Sequence, residues 1–124
     1  MADSLHDDVL DNGLSVLDTL VENLYICSTL PTTFTEASST YKFGTKATPT
    51  VSAPSDRTGG GRKVTVSAIT DGTVSADGTA GFYALTDDSA SKLLAQGDLS
   101  ATQVVTSGNT FTLTAFDIGI PDPA

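Results

Sequence analysis

From Tyr41 onward the chain is built mainly from Thr, Ser, Gly and Val, and its apolar residues come in short alternating runs rather than long stretches. Val64, Val66 and Ala68 alternate with Thr65 and Ser67, and Thr110-Phe111-Thr112-Leu113-Thr114-Ala115-Phe116 repeats the pattern more cleanly. A period of two places one set of side chains on each face of a pleated strand. Gly, Asp, Asn and Pro punctuate these runs at Asp71-Gly72, Asp77-Gly78, Asp87-Asp88-Ser89 and Ser107-Gly108-Asn109, where turn chemistry is favoured. About five to seven short antiparallel strands at such spacing predict a mainly β fold, a small β-sandwich or barrel. Phe82 and Tyr83 are adjacent, so a strand over residues 80–85 must be covered on both faces or lie at an interface.

The amino-terminal part follows a different rule. Leu10, Leu14, Leu17, Leu20, Val21 and Leu24 recur at three- and four-residue steps, one face of a helix. Asp7, Asp8, Asp11, Asp18 and Glu22 fill the intervening positions, and no Lys or Arg precedes Lys42. The spacing predicts one amphipathic helix over about residues 5–22, with Asn12-Gly13 as a break or a second start. Residues 1–23 therefore read as an acidic helix or arm, and residues 24–124 as a β-rich domain with an extended, proline-bearing tail. Leu24-Tyr25-Ile26-Cys27-Ser28 reads as a buried strand. Thr33-Phe34-Thr35-Glu36 has the spacing of a capping box and predicts a short helical turn through Thr40. Pro49 and Pro54 confine the segment between them to an edge strand or an extended arm.

Composition narrows the chemistry. Among 124 residues, 15 acids face 6 Lys and Arg for a net charge of −9, and 13 of the acids are Asp. Such a chain is repelled by phosphate backbones, so no nucleic-acid partner is expected. One Cys and one His cannot make an internal disulfide or a soft-ligand zinc site. No apolar stretch is long enough for a membrane span, and the acidic start lacks the pattern of a signal peptide. Synthesis in a cytoplasm is expected, with Cys27 reduced there.

No catalytic constellation emerges. Thr58-Gly59-Gly60-Gly61-Arg62-Lys63 is glycine-rich, but Lys63 leads into a strand and not the helix a phosphate loop requires. Cys27 lies in an apolar run, far in character from His6 in its acidic surroundings, so the pair is no nucleophile and base. The Asp residues sit beside Gly, Ser or Asn, as turns favour, and no run matches a calcium loop. The expectation is no enzyme, no cofactor and no metal. Arg57, Arg62 and Lys63 hold half of the basic charge, which makes their loop the expected contact with an acidic surface.

Several strings occur together: Tyr25-Ile26-Cys27-Ser28, Pro31-Thr32-Thr33-Phe34-Thr35-Glu36-Ala37, Tyr41-Lys42-Phe43-Gly44, Gly61-Arg62-Lys63-Val64, Ile69-Thr70-Asp71-Gly72 and Val105-Thr106-Ser107-Gly108-Asn109-Thr110-Phe111. With the ending Ala115-Phe116-Asp117-Ile118-Gly119-Ile120-Pro121-Asp122-Pro123, this ordered set resembles a group of small proteins of tailed phages and prophages of proteobacteria. The resemblance runs over about residues 5–123. It implies a virion structural component, with capsid decoration (cement) proteins as the favoured subclass. On that reading the partner is the major capsid protein and the chain forms a homo-oligomer, a trimer being favoured, on the outer surface of the head. The contact residues expected are Leu10, Leu14 and Leu17 on the helix face, Pro49 and Pro54 on the arm, and Arg57, Gly59, Gly60, Gly61, Arg62 and Lys63 in the loop. A tail, neck or fibre-anchoring component is the first alternative, and a carbohydrate-binding module, which would need exposed aromatics, the second.

Overall fold

The structure, a computed structural model, describes residues 4–5, 13–58 and 62–120. Its elements are β1 (Ser4–Leu5), α1 (Ser15–Leu20), β2 (Asn23–Cys27), β3 (Lys42–Ala47), β4 (Ser55–Asp56), β5 (Arg62–Val66), β6 (Ile69–Val74), β7 (Gly78–Asp87), β8 (Lys92–Val105), β9 (Thr110–Leu113) and β10 (Phe116–Ile120). The fold is mainly β, as the alternation predicts, and its principal sheet curls into a half-barrel. That sheet has seven antiparallel strands in the order β1-β8-β7-β2-β3-β6-β9, and a second sheet has three in the order β10-β5-β4.

One core lies between the sheets. Leu24 and Ile26 of β2, Leu85 of β7, Leu94 of β8 and Phe111 of β9 meet Val64 and Val66 of β5 and Ile118 of β10. The opposite face of β2 and β7 carries a smaller cluster, Tyr25, Cys27 and Ala84, capped by Ala37 from a single π-helical turn over Glu36–Thr40. Two-sided cover is what the Phe82–Tyr83 pair requires, and Tyr83 joins the main core while Phe82 packs on the smaller cluster.

Three local expectations are corrected. First, the helix is only Ser15–Leu20, not residues 5–22. Gly13 sits at φ +76° and separates it from what precedes, and Leu5 pairs as strand with Ala95. At the other end the sheet captures Glu22, whose N–H donates to the Thr86 carbonyl and whose own carbonyl accepts from Thr48 N–H, both at 2.8 Å. Residues 6–12 of the predicted helix lie outside the described residues. Leu14, Val16 and Leu17 pack in the same core as the strands.

Second, Asp71-Gly72 is no turn. It lies inside β6, where a register irregularity occurs between Ile69 and Gly72. Any Cβ at Gly72 would run into the Phe111 ring, so this glycine serves close packing, not positive φ. Third, the capping box closes on one side only. Thr33 Oγ1 accepts from Glu36 N–H at 3.1 Å, but the Glu36 carboxylate takes Thr32 N–H and Thr32 Oγ1, each at 2.8 Å, instead of Thr33 N–H.

Candidate functional site

Among the described residues, a concavity lies where the half-barrel stays open. Along β7 the register advances from Ala80 to Phe82 while β8 covers Asp98 to Gln103, so residues 99–102 bulge out of the ladder. Extra residues on one strand leave backbone groups unladdered and bend the strand away. After the turn at Ser107-Gly108-Asn109, whose Ser107 N–H donates to Asp77 Oδ1 at 2.7 Å, the chain returns as β9 at the far edge of the seven-stranded sheet. β9 pairs with β6 and not with β8. Across the resulting seam Gln103 Nε2 donates to the Thr112 carbonyl at 2.7 Å.

The seam opens into a cleft of about 410 Å³ bounded by the β8 bulge, Thr112–Leu113 of β9, the Thr114-Ala115 link and the start of β10. Its floor is apolar: Tyr83 and Phe116, with ring centroids 4.5 Å apart, flanked by Leu99 and Leu113. Its exposed rim is polar, with Asp98, Ser100, Thr114 and Asp117. Asp117 is held from one side, accepting from Thr65 Oγ1 at 2.7 Å and pairing with Lys63 Nζ at 3.1 Å. The Thr65 hydroxyl and then the Lys63 ammonium hold its carboxyl below the ordinary Asp range.

A second group of ionisable residues sits at the opposite end of β7. The Glu22 carboxylate accepts Ser89 N–H at 2.6 Å and Ser89 Oγ at 2.9 Å, which lower its pKa. Asp87 beside it is 8% exposed, and burial, then the hydrogen bond with Glu22, raises its carboxyl. Burial also pushes the Asp88 carboxyl up, but donation from Thr86, Tyr25 and Asn23 outweighs it and the net shift is downward. Tyr25 Oη donates to Asp88 at 2.6 Å. This group ties β2, β7 and the turn over Asp88–Ala90 together, and among the described residues no three His, Cys, Asp or Glu could share a metal ion.

The residues expected to make contacts are not gathered into one surface. Leu14 and Leu17 are 5% and 0% exposed, packed within the chain's own core. Pro49 is buried, and the segment after it lies against β5: Ser52 N–H donates to the Thr65 carbonyl, Ser67 N–H to the Thr50 carbonyl, and Val51 bridges Val66. The segment thus runs extended beside the chain's own small sheet, pairing with it through one isolated bridge. Arg62 pairs with Asp56 at 2.6 Å and donates to the Pro54 carbonyl at 3.1 Å, Lys63 holds Asp117, and the stem of Arg57 crosses Gly119 in β10. The chain's own acids and backbone therefore engage Arg62 and Lys63. Leu10, Gly59, Gly60 and Gly61 lie outside the described residues.

Of the cleft residues, the sequence marks Tyr83 only as part of a strand covered on both faces or at an interface, and Asp98, Leu99 and Phe116 not as a site at all. The alternation from Thr110 to Phe116 places a strand there but does not show that β9 and β8 stay unpaired. Of the tyrosines, Tyr25 and Tyr83 are 6% and 7% exposed and Tyr41 is half-buried. Comparison with protein-family models, with curated proteins and with solved structures found no match for this chain.

Proposed function

We propose that this chain is a phage virion structural protein, a capsid decoration protein on the outer surface of the head that stabilises it by bridging subunits of the major capsid protein. The observation that carries this reading, beside the resemblance in sequence, is the open seam. A closed barrel has no free edge, whereas this half-barrel ends at β9 and its small sheet at β10 and β4, without further strand partners among the described residues. Unpaired edges beside an apolar-floored cleft suit a protein whose work is to join neighbours by backbone pairing. The net charge of −9 favours a position outside the shell, away from packaged DNA. A small symmetric oligomer, with a trimer favoured, would multiply each weak edge contact.

Quantitative mass spectrometry of purified virions tests this. Copies comparable to the major capsid protein support decoration, and heads lacking the chain should release DNA at lower temperature. A scarcity of tens of times relative to the capsid protein would move the chain to the neck, tail or fibre base. Absence from virions would overturn the structural reading. The burial of Tyr25 and Tyr83 weighs against a carbohydrate-binding module, which needs aromatic faces open to solvent.

A further inference from the structure

We infer that the seam cleft receives an extended segment of another polypeptide, with an apolar side chain seated against the half-buried Phe116 and Leu99 and an adjacent Lys or Arg against Asp98. The location of that polypeptide rests on the capsid-bridging reading, but the chemistry rests on the cleft alone. Two stretches of backbone flank the opening without ladder partners: residues 99–102, which the β8 bulge lifts from β7, and the edge of β10 away from β5. An extended chain satisfies such groups with its own N–H and C=O and places alternate side chains inward, so strand addition fits this geometry. The floor demands an apolar anchor, and about 410 Å³ accommodates one or two aliphatic side chains.

Charge selects the remainder. Asp117 already holds Lys63, and the described ion pairs, Lys46–Asp71, Arg62–Asp56 and Lys63–Asp117, leave Asp98 without a cation. Asp98 stands exposed at the rim of a chain carrying −9, so a basic segment is attracted and an acidic one repelled.

The test uses the full chain and two short acetylated peptides, Thr-Val-Lys-Val-Thr-Lys and its counterpart with Glu for Lys, followed by backbone amide NMR. The Lys peptide is expected to shift amides of residues 98–103 and 112–117 and to bind more weakly as salt rises. The Glu peptide is expected to leave the spectrum unchanged. Asp98→Asn should weaken binding about threefold, the scale of an exposed ion pair. Ala115→Trp, at an exposed lining position, should fill the cleft and abolish binding while leaving the remaining amides in place. Equal binding of both peptides, shifts confined to other strands, or no binding of the Lys peptide to the unaltered chain would overturn the proposal. Because the peptides need no virion, this outcome is separable from that of the copy-number measurement.

Discussion

The two ends of the seven-stranded sheet's central ladder behave as opposites. Where β2 meets β7, register runs from Asn23↔Thr86 to Cys27↔Phe82 without a break, and Leu24, Ile26, Cys27, Ala84 and Leu85 are all 0% exposed. Where β7 meets the second half of β8, register jumps, and Val104 is 85% exposed one residue from the seam. The first stretch is richer in large apolar and aromatic residues, the second in Ser, Thr and Gly. Cover differs too: the core and the Glu36–Thr40 turn sandwich the first, whereas the second has cover on one face. Stability thus concentrates at one end, and open backbone remains at the other. A contact surface can tolerate irregularity because the fold does not depend on it.

Substitutions should expose this contrast in graded fashion. Leu85→Ala, at the fully buried centre, should cost about 2–5 kcal/mol through lost burial and a cavity, seen as a lower midpoint in urea. Tyr25→Phe removes the donor that reaches Asp88 at 2.6 Å across β2 and β7. A hydrogen bond to a charged acceptor contributes about 1.5–3 kcal/mol, and the same denaturation series should show a loss within that range. Lys63→Ala, which breaks a partly exposed pair with Asp117, should cost about 1 kcal/mol. At the seam, Val104→Thr should change stability by less than about 0.5 kcal/mol. A seam substitution as damaging as Leu85→Ala would erase the distinction.

Acid titration sharpens the same contrast. Asp88 and Glu22 are held below their ordinary values, so the stability they add is present above the unfolded carboxylate range and is lost as pH falls through their folded values. Asp87 is raised, so its contribution has the opposite sign, present at low pH and lost as pH rises through its folded value. The midpoint of thermal unfolding should therefore rise with pH between acid and neutral conditions, and Asp88→Asn should flatten that slope.

What was legible in the sequence follows the same division. Alternation located the strands around Val64 and Phe111, and the adjacency of Phe82 and Tyr83 announced a two-faced strand, because period-two patterns depend only on local geometry. The helix was overextended because its leucine spacing continues to Leu24, while capture of Glu22 by Thr86 and Thr48 depends on strands distant in sequence. Asp71-Gly72 misled for the same reason: its glycine answers to Phe111, 39 positions away. The cleft was illegible because it depends on a pairing that β8 and β9 do not make.

The thiol of Cys27 is fully enclosed, donates to the Ala37 carbonyl at 3.8 Å, and burial pushes its pKa up to about 12. A protonated, shielded sulfur reacts slowly with alkylating reagents, so its modification must wait until the cover over it, the Glu36–Thr40 turn included, lifts from β2. As the chain's single cysteine, it is a built-in clock. The rate at which a thiol reagent labels the native protein counts the openings of the cover over β2, with no label or reporter added to the sequence.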